Sequence, residues 1–273
     1  MGHVVVFGNQ KGGVGKSTLS VLYALWLADM QRRSVCVIDL DTQANASKTL
    51  SAFAGGSLAV ELLADALAMP EPAKAPPPAG GAQRSIALFA ASKKLADVEL
   101  AKPEAVVPAF RKRVTHLAQR FDTVVIDTPP ALGLRMSAAL IAATRVVCPI
   151  ELEEYSIDGV TDMLKTIFGV RQRYNPRLEL AGILLNRFNP HSVRQKAAMQ
   201  QLAASYREFV VPARISTRSA LPEALAEGKA VWELTKSSAR EASAEVKEAF
   251  TLLELRMDAP RQVGPQMAHG GTA

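Results

Sequence analysis

Two lysines, Lys11 and Lys16, lie in a short glycine-rich segment, NQKGGVGKST, directly after the apolar run HVVVFG. Glycines permit main-chain dihedral angles that let several N–H groups converge on one anion. A strand before such a loop and a helix after it form the P-loop arrangement. In that arrangement Lys16 would contact the β- and γ-phosphates, and the Ser17 hydroxyl would ligate Mg²⁺. The segment therefore predicts a nucleoside triphosphate site, with contacts expected from Gly12, Gly13, Val14, Gly15, Lys16, Ser17 and Thr18.

The segment departs from the strict P-loop pattern, G-x-x-x-x-G-K-[ST], because Gln10 stands where the first glycine is expected. The alternative interpretation is a glycine-rich turn that contains a lysine by chance. The predicted strand and helix on either side favour the phosphate site. The pattern gives Lys16 a role but none to Lys11, so the second lysine needs a separate explanation.

Three carboxylates follow or end predicted strands. Asp39 and Asp41 close the run VIDLD, and Asp127 closes VVID. Side chains two positions apart on a strand point the same way, and ligands of open α/β sheets gather beyond the carboxyl ends of the strands. We therefore expect Asp127 to hold Mg²⁺, and both Asp39 and Asp41 could face the nucleotide. The alternatives are structural: Asp127 could cap a helix at the end of its strand, and Asp39 could have a merely structural role.

Short apolar runs alternate with longer stretches of helical spacing along the chain. Several of the runs are apolar at consecutive positions, which is typical of strands covered on both faces. This alternation predicts βαβ units and a doubly wound, mostly parallel α/β sheet with helices on both faces, the P-loop NTPase class. The predicted strands are His3–Gly8, Ser34–Leu40, Ser85–Ala90, Asp122–Asp127, Arg145–Ile150, Leu178–Asn186 and Phe209–Ala213, and the predicted helices include Thr18–Gln31, Ser57–Met69, Pro103–Arg120, Ile157–Tyr174 and Ser192–Tyr206.

We expect one ATPase domain over residues 1–257. The proline- and glycine-rich segment PEPAKAPPPAGG makes residues 70–82 a predicted surface insertion, since strands on both sides are needed to complete one sheet. A linker between two domains is the alternative. Residues 258–273 are rich in Pro, Gly and Gln and are expected to form a flexible tail.

The composition indicates an internal, soluble protein. The chain has 273 residues and a net charge of +6, which is compatible with a polyanionic partner but does not require one. Its two cysteines, Cys36 and Cys148, lie in apolar runs and give no disulfide framework. The sequence shows no signal pattern, and its apolar runs are shorter than the ~18 residues of a membrane span. We expect a cytoplasmic location.

The segment KGGVGKST resembles the deviant P-loop of the ParA/MinD family of ATPases, and later segments extend this resemblance to about Glu248. The wording VIDLDTQANAS is especially similar to plasmid-type partition ATPases of the IncC kind. Thr42 is a departure, because many members of the family have proline there. The further segments that carry the resemblance are FDTVVIDTPP, which resembles the family's Walker B strand and switch, and, more loosely, VVCPIELEEYSIDG and GILLNRF.

The resemblance implies roles for residues that the P-loop pattern alone does not explain. It implies that Lys11 crosses a homodimer interface to contact ATP bound to the partner copy. A cation supplied in this way would act like an arginine finger. It further implies that Asp41 activates the attacking water, that Asp39 supports the water shell of Mg²⁺, and that Asn186 reads the adenine edge. The segment near Pro212 is expected to line the base.

A basic stretch lies between Thr166 and Arg218, where nine Arg and Lys residues face two acids. Such a face suits the phosphate backbone of double-stranded DNA without reading its sequence. A solvated basic helix face is the alternative interpretation. The candidate DNA contacts are Arg194, Lys196, Arg214 and Arg218, the last of which rests on the family resemblance.

The function implied is that of a DNA partition ATPase. An ATP-bound dimer would hold the nucleoid DNA, and a ParB-like activator would stimulate hydrolysis and release it. A MinD-like or other ParA-type ATPase that positions a protein cargo is the first alternative, but the final residues carry prolines and no apolar stripe for a membrane. A nitrogenase-iron-protein type would need cluster cysteines in loops, and a ligase resembling dethiobiotin synthetase is disfavoured by the Asp-x-Asp-x-Gln run.

Overall fold

The computed structural model describes residues 2–64, 84–153 and 156–258. The predicted insertion at 70–82 lies outside these ranges, as does the predicted tail apart from Asp258, which ends the last helix. The strands are β1 (His3–Phe7), β2 (Val35–Asp39), β3 (Ala54–Leu58), β4 (Ile86–Ala90), β5 (Thr123–Asp127), β6 (Arg145–Ile150), β7 (Glu179–Phe188) and β8 (Val210–Ser216). The α-helices are α1 (Lys16–Met30), α2 (Asn45–Thr49), α3 (Ala59–Leu63), α4 (Pro103–Arg120), α5 (Leu134–Ala142), α6 (Ser156–Arg173), α7 (Val193–Tyr206), α8 (Ala220–Ala226) and α9 (Ser237–Asp258).

The described strands form one parallel sheet in the order β3-β4-β2-β5-β1-β6-β7-β8. This confirms the predicted doubly wound α/β class. Central strand β1 lies between β5 and β6, and β2 lies on the far side of β5. The carboxyl ends of β1, β5 and β2 are in register at Phe7, Asp127 and Asp39. The loops after these three strands therefore converge on one place.

Two apolar layers cover the two faces of the sheet, as consecutive apolar residues in the strands require. Val4 and Val6 of β1 join the layer that contains α4 and α5, whereas Val5 and Phe7 join the layer that contains α1 and α9. The helix that follows the P-loop is buried along most of its length. The loop is thus fixed at both ends by packed elements. Within the described ranges, no helix has the length and apolar character needed to cross a bilayer.

The predicted helix Ser57–Met69 is wrong in its first two residues. Ser57 and Leu58 belong to edge strand β3, and the helix that follows is Ala59–Leu63; residues 65–69 lie outside the described ranges. The strand has the sequence AGGSL, whose two glycines give it a weak strand signal. Because β3 precedes it, the strand expected at 85–90 is the fourth in chain order.

Candidate nucleotide-binding site

The glycine-rich loop joins β1 to α1 and has two residues in the left-handed region, Gly13 (φ 78°) and Gly15 (φ 89°). A residue with a Cβ rarely adopts these angles. A Cβ on Gly15 would also collide with the side-chain amide nitrogen of Asn186. Lys16 is the first residue of α1, so the N–H groups of its first turn point toward the loop. Loop and helix end together form the predicted anion-binding geometry.

A cleft of about 530 Å³ opens above this loop. Most of the predicted nucleotide contacts lie along one wall, and residues from α2 and α8 form the opposite walls. A cleft of this volume is within the range of small-molecule sites. The lining residues are Gly12, Gly13, Gly15, Lys16, Ser17, Thr18, Asp41, Gln43, Asn45, Lys48, Thr49, Pro130, Arg187, Pro222, Leu225 and Ala226.

Lys16 lies inside the cleft, and only 7% of its surface is exposed. Its Nζ donates a hydrogen bond of 2.9 Å to the main-chain carbonyl of Lys11. Burial lowers the pKa of Lys16, while the carboxylates of Asp127 and Asp41 oppose that shift. The buried ammonium has lost part of its hydration, and a phosphate group in the cleft would compensate for that loss.

Asp127 is fully buried at the end of β5. Among the described residues, neither of its carboxylate oxygens accepts a hydrogen bond at ordinary geometry. Burial first, and then the neighbouring Asp39 and Asp41 carboxylates, raise the pKa of Asp127, although the Ser17 hydroxyl and Lys16 act in the opposite sense. A buried carboxylate with unused oxygens is costly unless a cation or its water shell satisfies it. These residues fit Mg²⁺, which prefers a few carboxylates and water.

Asp39 and Asp41 differ in what they contact. The carboxylate of Asp39 accepts hydrogen bonds from the Ser47 N–H (2.8 Å), the Ser47 hydroxyl (2.6 Å) and the Asp41 N–H (3.1 Å). Asp39 therefore holds the loop after β2 against α2. Asp41 lines the cleft, where its Oδ1 accepts a 3.0 Å bond from the Gln43 N–H. Of the two, only Asp41 lines the cleft.

The side chain of Lys11 turns away from the cleft that its own loop forms. Its Nζ lies 2.5 Å from Oε2 of Glu153, in the segment after β6, and 44% of the side chain is exposed. Hydrogen bonding with Lys11 is the first cause that lowers the pKa of Glu153. Lys11 is also not among the residues that line the cleft. Its ammonium thus stands outside the site that Lys16 occupies.

Two predicted adenine contacts have different positions. Asn186 is buried near the end of β7, and its amide nitrogen donates a 2.9 Å bond to the carbonyl of Val14. Asn186 therefore supports the loop from below. Pro212 lies in the middle of β8, outside the set of residues that line the cleft, whereas Pro222 on α8 lines it.

Sequence reasoning missed the cleft residues Lys48 and Arg187. Arg187 directly follows Asn186 and has an unusual φ of 53°. Its NH1 group lies 3.6 Å from Oε2 of Glu151. Left-handed backbone at a residue with a Cβ is concentrated at functional sites. In the sequence, Arg187 belongs to the segment GILLNRF and to the basic stretch, but neither feature pointed to the cleft. Lys48 comes from α2, and its Nζ donates to the carbonyl of Gln43.

The four predicted DNA contacts divide between the two faces of the sheet. Arg194 and Lys196 are exposed on α7, which packs through Leu202 into the same layer as Phe188. The guanidinium of Arg214 lies over the ring of Phe188, 5.2 Å from its centroid. Arg218 instead pairs with two carboxylates of α9, which belongs to the opposite layer. The structure therefore places Arg194, Lys196 and Arg214 on one face of the sheet and the partners of Arg218 on the other.

Comparison with known proteins places this geometry in a family. The profile of the family described as "AAA domain" matches residues 2–180. IncC from Escherichia coli is 38% identical over 256 residues, which cover 92% of this chain and 70% of that protein. The chromosome-partitioning ATPase Soj from Thermus thermophilus is 34% identical over 258 residues, which cover 90% of this chain and 97% of that protein. An ATP complex of McdA from Cyanothece matches with a TM-score of 0.77 at 20% identity, over 96% of this chain and 99% of that one.

The likeness to McdA, at that level of identity, supports the fold alone. The family profile and the two partition relatives cover the P-loop, both Asp-bearing strands and most of the sheet. Together with a cleft that brings Lys16, Asp41 and the loop glycines into one wall, they assign the chain. It belongs to the AAA-domain family of P-loop ATPases, within the ParA/MinD group that carries the deviant loop.

Proposed function

We propose that this chain is an ATP-hydrolysing DNA partition protein that works as an ATP-bound dimer. ATP joins two copies face to face, the dimer binds DNA without sequence preference, and partner-stimulated hydrolysis releases it. Its cargo is a plasmid or chromosome, its activator is ParB-like, and its location is the cytoplasm at the nucleoid. The names of the similar proteins, IncC and Soj, support the partition role.

The position of Lys11 is the single observation that carries this proposal. Its ammonium is held outside its own cleft by Glu153, at 2.5 Å, and 44% of the side chain is exposed. A cation in this place has no nucleotide to contact in its own subunit. It is available to a nucleotide in a second copy, where it would neutralise charge that develops during phosphoryl transfer. ATP would then bridge two subunits, and hydrolysis would weaken the bridge.

The residues of the cleft can be assigned to steps of hydrolysis. Loop N–H groups and Lys16 hold the phosphates, and Ser17 with Asp127 would hold Mg²⁺, which neutralises phosphate charge when bound. Asp41 lines the cleft and is the carboxylate that would orient the attacking water. Asp39 keeps that segment in place through Ser47 and the Asp41 N–H. A weak intrinsic rate is expected until the second lysine arrives.

The exposed cations of α7 support the DNA-binding part of the proposal. Arg194 and Lys196 are exposed on α7, and Arg214 lies over Phe188 on the same face of the sheet. Contacts to phosphates are independent of sequence and release counterions, so their affinity falls steeply with salt. Arg218 is a weaker candidate, because Glu241 and Glu245 already pair with it.

DNA retention as a function of nucleotide and salt tests the proposal. We expect retention with ATP and Mg²⁺ but not with ADP, and a steep decrease as salt rises. The double variant Arg194→Ala with Lys196→Ala should reduce the slope of log affinity against log salt by about 2. The double variant Lys93→Ala with Lys94→Ala removes the same charge from exposed positions before β5 and serves as the control. An ATP-loaded wild type that retains no DNA at low salt contradicts the proposal.

A further inference from the structure

Arg135, the second residue of α5, is an arginine with only 9% of its surface exposed. No motif in the sequence assigns it a role. Charged side chains are rarely buried to this extent, because desolvation of a charge is expensive unless close partners compensate for it. The helix that carries Arg135 begins directly after the loop Thr128–Gly133, which leaves the Mg²⁺-binding strand β5. What the guanidinium contacts therefore bears on the active site.

One branch of the guanidinium reaches the loop that carries the proposed catalytic carboxylate. The NH1 group of Arg135 donates a 2.7 Å hydrogen bond to the main-chain carbonyl of Leu40. Leu40 is fully buried between Asp39 and Asp41. Its own N–H donates a 3.0 Å bond to the carbonyl of Asp127. The peptide units that position Asp41 are thus held from one side by β5 and from the other by Arg135.

The other branch of the guanidinium is fixed by Glu99. The Nε group of Arg135 donates to Oε1 of Glu99 at 2.7 Å. The second oxygen of Glu99 accepts from the Leu134 N–H at 2.6 Å, at the beginning of α5. A Cβ on Gly133 would collide with this carboxylate. Burial alone would raise the pKa of Glu99, but the hydrogen bonds from Arg135 and Leu134 outweigh it and lower that pKa.

A helix cap alone does not need this arrangement. Glu99 by itself accepts from the N–H groups of Leu134 and Arg135 in the first turn of α5, as an acidic residue near a helix N-terminus does. The bond from Arg135 to Leu40 adds nothing to the cap, since it leads across to the end of β2. Thr128, at the other end of the same loop, donates its hydroxyl to the carbonyl of Phe7 at 2.7 Å. The loop is therefore tied at one end to the P-loop strand and at the other to the Asp41 segment.

We propose that Arg135 is a positioning residue that couples the loop after β5 to the placement of Asp41. A shift of the loop on contact with the γ-phosphate moves the start of α5, and Arg135 transmits that shift to the carbonyl of Leu40. This inference rests on the proposed function, in which Asp41 orients the attacking water. A displacement of about 1 Å at such a group is enough to change rates by up to ~10²-fold.

The test compares ATP hydrolysis and ATP affinity in three variants. Arg135→Met removes the cation, and Arg135→Lys keeps it but cannot form both bonds. Arg113→Met is the matched control, because Arg113 is also a buried arginine that donates to main-chain carbonyls, those of Leu62 and Ala64. We expect kcat of Arg135→Met to fall about 10- to 100-fold, with the ATP dissociation constant changed less than about twofold. Arg135→Lys should recover part of kcat.

Two results would overturn the inference. One is a kcat in Arg135→Met equal to that of the wild type, and the other is an equal loss of kcat in Arg113→Met. If Arg135→Met does not fold, Arg135→Lys and Glu99→Gln provide the test instead. A wild-type kcat in both of these variants rejects the coupling. A reduced kcat with unchanged ATP affinity supports it. A wild-type protein that hydrolyses no ATP at all would instead reject the proposed function.

Discussion

Lys16 donates its ammonium hydrogen bond to the main-chain carbonyl of Lys11, 2.9 Å away, while the side chain of Lys11 points elsewhere. The two lysines of the loop are therefore linked through the main chain but have separate electrostatic surroundings. Lys16 is buried among cleft residues, and Lys11 pairs with Glu153 at the surface. Of the two, only Lys16 lines the cleft of its own subunit, and this difference is the reason we propose that Lys11 serves a nucleotide bound to a second copy.

Replacement of Lys11 by alanine should remove ATP-dependent dimerisation while leaving ATP binding to the monomer nearly unchanged. The reason is that Lys11 does not line its own cleft. Light scattering with and without ATP measures the dimer, and a fluorescent ATP analogue measures the affinity. We expect stimulated hydrolysis to fall by at least ~10³-fold if the lysine acts like an arginine finger.

The matched control for this prediction is Lys165→Ala, since Lys165 is also a surface lysine paired with one acid, Asp162 at 3.3 Å. It should dimerise like the wild type. Glu153→Gln weakens the pairing that holds Lys11 in the monomer and should keep or increase dimerisation. Normal dimerisation and hydrolysis by Lys11→Ala would leave the proposed role of this residue without support.

Substitution of Gly15 by alanine should abolish nucleotide binding. Two physical effects act together: the φ of 89° strains a residue with a Cβ, and the Cβ collides with the amide of Asn186 beneath the loop. Gly169→Ala, in α6 and outside the cleft lining, is the control, because no atom lies within 4 Å of a Cβ built at Gly169. Calorimetric titration with ATP should show a loss of at least ~100-fold in affinity for Gly15→Ala, equivalent to about 2.7 kcal/mol. Equal affinities in the two variants would contradict the role given to the loop geometry.

The phosphate-binding part of the site could be predicted from the sequence, but the contacts between residues far apart in the chain could not. The P-loop and the strand-end carboxylates have local signals, since a loop, a strand and a helix lie within a few consecutive residues. The pairing of Lys11 with Glu153 and the contact of Arg135 with Leu40 join residues 142 and 95 positions apart. Such contacts depend on the strand order, which places β2 and β6 on opposite sides of the P-loop strand. No local pattern contains that order.

Two elements show the same limit for the fold. The edge strand β3, AGGSL, has neither alternation nor an apolar run, so periodicity could not predict it. Its place comes from pairing with β4, a tertiary contact. The presence of Pro222 in the cleft wall likewise depends on how α8 packs after β8.

Asp127→Asn should stabilise the nucleotide-free protein while abolishing hydrolysis. The wild-type carboxylate is buried and, within the described residues, accepts no hydrogen bond at ordinary geometry. A neutral amide is cheaper to bury than a charge. Thermal unfolding in EDTA should show a higher Tm, by about 2–4 °C for each kcal/mol gained. Stability kept low at a functional residue is a recurring cost of activity.

Asp122→Asn is the control of opposite sign. Its carboxylate accepts bonds from the N–H and hydroxyl of Ser34, both at 2.8 Å, and these bonds lower the pKa of Asp122. Removal of that acceptor charge should lower the Tm or leave it unchanged. A lower Tm for Asp127→Asn than for the wild type, measured without Mg²⁺, would contradict the view that this carboxylate is held for a cation.

Glu245→Gln should destabilise the protein at neutral pH but not in acid. Burial alone would raise the pKa of Glu245, but hydrogen bonds from the Arg218 guanidinium and from Ser216 outweigh it, so the pKa is lowered on folding. A carboxylate whose pKa is lower in the folded state adds stability above its unfolded pKa, about 4.3, and loses it as the pH falls through the folded value. The difference in Tm between Glu245→Gln and wild type should therefore be present at pH 7, begin to shrink as the pH falls past about 4.3, and disappear only below the lower pKa of the folded state. Glu248 is exposed and lies three residues further along α9, so Glu248→Gln should have a Tm close to that of the wild type at either pH. If the lower Tm of Glu245→Gln persists in acid, packing and not the charge on Glu245 holds Arg218 against α9.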